Sequence, residues 1–326
     1  MKKLLVLGCW LLINFILKAH PGIGIVKDSK GNIYYTDLKQ VWKVSPDGNR
    51  SVVVIGVHSH ELYIDPQDNL YGEHLWYNGE SANTWGHYVW CFKSSGELVK
   101  EINSTKGFLT NYSFARDSAG NMYWVERFTT SRIMKKTKNG EIIKLVEAKF
   151  GFIGWLTCTA NGTLYFTESN KLHKLFPDGR LTTLTDDLKS RSPDFSVMGH
   201  NYDSYGIWTD DKENVYLAMI DSKTVVRIGA DGNVQTIIGS TSLWTVCSGL
   251  FDKNGNMWLL ENSVTNEVRA RKITKQQLAG GEIQTGFTRQ SHLLFTFITA
   301  AAVVTLFFLL KMILNKRRNK PFYNII

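Results

Sequence analysis

Cysteine is scarce in this 326-residue sequence, with only four copies. Cys9 falls within an N-terminal apolar run, and Cys91, Cys158 and Cys247 are widely spaced without a C-x-x-C pair. Neither a disulfide framework nor a zinc cage follows from such spacing, and burial as small apolar residues is expected. Several catalytic signatures are missing as well. No nucleophile elbow, phosphate-binding loop or dinucleotide fingerprint occurs, which argues against covalent hydrolase and nucleotide chemistry. A tight H-E-x-x-H zinc motif is also absent.

Charge of one sign is lacking too, once its distribution is considered. The formal net charge is +9, but Lys2, Lys3 and Lys18 carry three of these charges. Lys311, Lys316, Arg317, Arg318 and Lys320 carry five more, which leaves about +1 for everything between. The basic balance is a property of the chain ends and gives no argument for nucleic acid.

Those ends read as targeting segments. Lys2 and Lys3 precede an apolar run over residues 4–17, which suits the core of a signal peptide over residues 1–19 with cleavage near Ala19. The run ahead of Cys9 is too short for a lipoprotein signal. Residues 293–310 hold no charge, and Lys311 and the basic cluster follow. This predicts a transmembrane helix over 293–314, a stalk over 286–292 and a cytoplasmic tail over 315–326. The body, residues 20–285, is then held at the outer side of a cell membrane, in the periplasm or outside the cell.

What fills that body is a repeat. Asp28-Ser29-Lys30-Gly31-Asn32-Ile33-Tyr34 is followed by similar stretches beginning at Asp65, Asp117, Thr159, Asp210 and Asp252. The steps between them are 37, 52, 42, 51 and 42 residues, the length of a propeller blade. Asp or Asn beside Gly makes a tight turn, because both tolerate positive φ and bond the local backbone. A second turn follows, as at Pro46-Asp47-Gly48, with β-branched and aromatic runs such as Val225-Val226-Arg227-Ile228 between turns. Each repeat is thus four antiparallel strands, a to d, and six repeats predict an all-β, six-bladed propeller. Blade 6 has no Asp-Gly turn after Val268, so its outer strand is expected from residues 281–286 or from the N-terminal end.

These repeats resemble NHL repeats and the wider six-bladed group that includes gluconolactonase-like proteins and the peptidyl-amidating lyase. The resemblance covers roughly residues 22–285 and implies the fold more than an activity. In the resembling enzymes a metal ligand commonly sits five residues before the repeat Asp. By that offset the positions here are Ile23, His60, Tyr112, Gly154, Tyr205 and Cys247, of which His60 is similar to the lyase's histidine. The gluconolactonase pattern of Glu, Asn and Asp is absent.

Strand order puts the b–c and d–a connections on one face, the top, and the long insertions (78–87, 103–110 and 186–204) gather there. So do His58, His60, His74, His87 and His200. His58 and His60, two apart, point the same way on a strand. With His74 they are candidate ligands for one divalent ion, Ca, Zn or Mg. Glu61 and Glu73 are candidate bases, with Tyr112 and Tyr205 as acid–base partners. Trp85, His87 and Trp155 are candidate ligand contacts. The bland reading is that these groups are hydrogen-bonded residues holding the mouth of a channel together. Two functions follow: a module binding a peptide, glycan or protein partner through its top face, or a metal-dependent lactonase-like hydrolase or lyase. The acids five residues after the repeat Asn, Asp37, Glu126, Glu168 and Glu261, are expected to bond turn backbone.

The flanking charges generate a topological prediction. Protease added to intact spheroplasts should remove the propeller and spare a tag at Ile326; a protected propeller overturns this topology.

Overall fold

Each repeat Asp does the same physical work. In blade 1 the Asp28 carboxylate accepts the Asn32 backbone N–H at 2.8 Å, the Asn32 side-chain amide at 2.5 Å and the Tyr34 hydroxyl at 3.1 Å. Asp65, Asp117 and Asp210 repeat this with Asn and Tyr at the same offsets, and Asp252 does so with Asn256 and Trp258. The turn is thereby bolted to strand b. The structure, a computed structural model, describes residues 22–188, 204–280 and 283–285, apart from 80, 128, 147, 221, 241 and 242. The expected signal peptide, stalk, membrane span and tail, and His200, lie outside these residues. Among the described residues no helix is long and apolar enough to cross a membrane.

Six antiparallel sheets form the six-bladed propeller that the repeats predict. Blade 1 runs through Ile25–Lys27, Ile33–Thr36, Gln40–Val44 and Arg50–Ile55, ordered a-b-c-d. Blades 2, 4 and 5 keep the same order. Blade 3 departs from the expected inner strand near Tyr112: its ladder has three strands, and strand a is reduced to a bridge between Arg116 and Met122. Blade 6 also has three strands among the described residues, Trp244–Phe251, Met257–Ser263 and Val268–Ile273. Ile283 and Gln284 lie in the fifth sheet instead, beside Val234–Ser240. The helix Lys275–Ala279 follows blade 6, started by a capping box at Thr274.

The core lies between blades rather than at one centre. Five buried apolar clusters span the junctions 1–2, 3–4, 4–5, 5–6 and 6–1. Tyr34, Val41 and Val54 meet Leu62, Leu70 and Trp90 at the first of these. Ile25, Ile33 and Tyr35 meet Trp258 and Leu260 where the ring closes, and there Lys27 Nζ donates to Phe251 O at 2.5 Å. Burying each such side chain is worth about 1.5–3 kcal/mol. Cys91 and Cys247 are buried and Cys158 is half-buried, all as free thiols.

The insertion in blade 2 is not the loop expected over residues 78–87. Strands b and c simply continue, as Leu70–Tyr77 and Trp85–Phe92, so Trp85 and His87 belong to a strand and project a long hairpin. Period-2 alternation carries on through these residues, which is why pairing does too.

Acid should dismantle the Asp clamps. Burial alone would raise the Asp117 carboxyl, but donors from Asn121, Tyr123 and the Ala119 backbone outweigh it and hold it below its ordinary value; Asp252 is held down likewise. A folded pKa below the unfolded one gives stability that is complete above about pH 4 and lost as pH falls through the folded value. Asp117→Asn should cost about 1–3 kcal/mol in urea unfolding at neutral pH and lose less than the parent between pH 5 and pH 3. An unchanged urea midpoint refutes the clamp's role.

Candidate functional site

The chain entering blade 2 is pinned before it becomes a strand at Leu62. Ile23 and Gly24 donate backbone N–H groups to His60 O at 2.9 and 2.8 Å, and Leu75 N–H donates to His58 O at 3.0 Å. The central pin is Glu73, on strand b and 8% exposed. Its Oε1 accepts the His60 N–H at 2.5 Å and the Glu61 N–H at 3.2 Å. Its carbonyl oxygen accepts the Ser59 hydroxyl at 2.5 Å and the Trp90 indole N–H at 3.0 Å. The indole can come this close only because residue 72 is glycine, where a Cβ would stand 2.3 Å from the ring. Glu73 Oε2 is buried and has no hydrogen-bond partner.

These residues form one side of a cleft of about 590 Å3. His60, Glu61, Glu73 and His87 supply its polar groups from blade 2, and Arg127 supplies another from the end of strand b of blade 3. Its apolar walls are Phe108, Tyr112 and Phe114 from the connection between blades 2 and 3, with Phe152 and Trp155 from blade 4. Phe108 is 74% exposed and leans on Trp85 and His87, with ring centroids 4.6 and 5.3 Å away.

The electrostatics of the cleft centre on Glu61. Burial pushes its carboxyl up, the neighbouring Glu73 charge adds to this, and His60 and Arg127 partly oppose it; the result is about 7. A carboxyl in that range can give or take a proton at neutral pH. Burial pushes Tyr112 up to about 12, so its phenol keeps its proton and accepts from the Arg116 guanidinium at 3.0 Å. His87 Nδ1 lies 2.8 Å from Gly107 O. A carbonyl only accepts, so Nδ1 carries the proton and Nε2 of the neutral ring is an acceptor.

Of the candidates from the sequence, His60, Glu61, Glu73, Tyr112, His87 and Trp155 line this one cleft. The His58 ring sits beside that of His60, 4.8 Å between centroids. Trp85 stands behind Phe108 and His87 rather than on the lining. Tyr205 packs on Trp155 with centroids 5.1 Å apart. His74 points elsewhere: its Nδ1 accepts the His58 backbone N–H at 3.1 Å and its ring stacks on Tyr88. Among the described residues no group of three or more His, Cys, Asp and Glu side chains is arranged to hold a metal ion.

Arg127, Phe108, Phe114 and Phe152 were not legible as site residues. Arg127 follows directly on Glu126, one of the offset acids, but nothing in the repeat says that it crosses to blade 4. It does so by donating to Ile153 O and Gly154 O at 3.2 and 3.0 Å. The offset acids themselves divide. Asp37 bonds the turn N–H groups of Lys39 and Gln40, as expected. Glu261 is buried and instead pairs with Arg269 and Arg271 at 2.7 and 2.6 Å.

No protein-family model matches the sequence, and no curated protein does. Solved structures do resemble the fold. A luciferin-regenerating enzyme shares 11% identity over 85% of this chain and 96% of its own, with a TM-score of 0.51. A gluconolactonase from Xanthomonas campestris shares 10% over 77% and 85%, with a TM-score of 0.47. Virginiamycin B lyase from Staphylococcus aureus shares 15% over 79% and 86%, at 0.43. At these identities the likeness is one of fold alone.

Carboxyl-resolved NMR should find Glu61 titrating near 7, and Glu73→Gln should lower that value by removing the neighbouring charge. Titration at the ordinary glutamate value of about 4.3 refutes the coupling.

Proposed function

We propose that this chain is a recognition propeller, tethered outside a membrane by residues 293–314, whose top-face cleft takes a peptide, glycan or protein partner. The observation that carries the reading is the cleft itself, where five aromatic side chains surround Glu61 and Glu73 in a volume suited to a small molecule or a chain end. Exposed aromatic side chains such as Phe108 add contact area at little entropic cost.

One observation favours a second reading, a hydrolase or lyase. Glu61, shifted to about 7 and next to His60, suits proton transfer to or from a bound ester, lactone or carbon acid. In that reading Glu61 moves the proton, Glu73 fixes the backbone that carries it, and Arg127 faces developing negative charge. A divalent ion would need ligands beyond those gathered here.

Full-length protein in detergent separates the two readings. Peptide, glycan and lactone panels are screened both for quenching of tryptophan fluorescence and for product. Saturable binding without product, weakened at least tenfold by Trp155→Ala, is the result expected of a recognition module. Product formation that falls by about 100-fold or more in Glu61→Gln establishes the enzyme instead. Binding that ignores Trp155→Ala removes the cleft from the account.

A further inference from the structure

We propose that the chemical group this cleft selects is an organic ammonium, a protonated amine attached to an apolar body. The inference rests on the cleft being the ligand site and adds the class of ligand.

Beside His60, whose Nδ1 stands 3.7 Å from Glu73 Oε1, and the Ser113 hydroxyl, the cleft gathers several acceptors. Glu73 is buried, lines the cleft and leaves Oε2 with no donor at all, although burial of an unanswered carboxylate oxygen is costly. Glu61 brings a second carboxyl to the same wall. His87 is tied through its Nδ1 proton to Gly107 O, which turns the remaining nitrogen into a third acceptor. A ligand that answers these groups must donate, and a cationic donor answers two carboxyls better than a neutral one.

The walls point the same way. Phe108, Tyr112, Phe114, Phe152 and Trp155 present π faces or edges to the cleft, and cations are drawn to such faces within about 6 Å. An ammonium flanked by methylene groups or a ring satisfies both wall and floor, whereas a carboxylate ligand meets two like charges. Arg127 is the one fixed cation among the lining residues. Its guanidinium donates to Ile153 O and Gly154 O and lies over Phe152, 5.3 Å from the ring centre, at an exposed position on the rim. Two of its donors are committed to those carbonyls, and its charge offsets the upward push on the Glu61 carboxyl only in part.

Three probes of nearly equal shape test this on the full-length protein in detergent at pH 8: benzylammonium, benzyl alcohol and benzoate. Binding is read by tryptophan fluorescence and by ligand-observed NMR. Benzylammonium should bind at least about tenfold tighter than benzyl alcohol, and benzoate weakest of all. Glu61→Gln and Glu73→Gln should each shrink the ammonium-to-alcohol ratio several-fold, with near-UV circular dichroism unchanged. The amide oxygen that Glu73→Gln introduces can still accept the His60 N–H, so loss of charge is separated from loss of fold. Equal binding of all three probes overturns the ammonium assignment and leaves the cleft as a ligand site. Selectivity that survives both substitutions also overturns it, because the selecting group is then not this pair. Binding of none of the probes sinks the assignment and the cleft reading together.

Discussion

A carboxylate that accepts three hydrogen bonds within seven residues is the interaction on which this molecule depends. In five of the six repeats it fixes a turn, a strand start and an aromatic side chain at once. The aromatic ring, once anchored by its polar tip, becomes packing material for the junction between blades. Tyr34, Tyr123, Tyr216 and Trp258 all belong to inter-blade clusters. Local turn chemistry and ring architecture are thus one device. Blade 4 shows how it can be replaced: Thr159 carries no charge, and Tyr165 instead bonds Glu213 of blade 5 at 3.2 Å, alongside Lys174 at 2.7 Å.

The sixth junction is different. No buried apolar cluster among the described residues spans blades 2 and 3. Arg116 occupies that seam, 4.7 and 5.3 Å from the ring centres of Tyr63 and Tyr112, and the inner strand of blade 3 shrinks to a bridge. The chain before it, freed from a ladder, supplies Phe108, Tyr112 and Phe114 to the cleft. Where the ring gives up an apolar seam, it gains a lined cavity. Pairing and packing are constrained everywhere else, so the candidate site sits where those constraints are weakest.

How much of this was legible follows from the same contrast. The repeat length, the turn residues and the alternation of strands are local, and they specify six blades and their register. His60, Glu61, Glu73 and Tyr112 could be brought to one face because strand order alone decides which connections share it. Trp85 and His87 were placed in a loop, since inserted residues in a hairpin do not reveal whether they extend its strands. The pairing of Ile283 and Gln284 with the fifth sheet, rather than with blade 6, and the reduced strand of blade 3 were hidden because pairing is settled by neighbours distant in sequence. Arg127 and Phe152 come together across a junction, and no periodicity within one blade encodes that meeting. The role of Glu73 was half visible: its position was, but its service to the His60 and Glu61 amides needed the geometry.

The closing seam between blades 1 and 6 sets a timetable. Lys27 and Phe251, which meet there, are 224 residues apart in the chain. Ile25 and Ile33 must wait for Trp258 and Leu260 before their apolar faces are covered. During synthesis, at about 5–20 residues per second, blade 1 stands with that flank uncovered for on the order of ten seconds or more. Contacts of such separation also slow folding itself. The first blade to emerge is therefore the last to be sealed, and for that interval the newborn chain depends on whatever shields an open β-sheet from its neighbours.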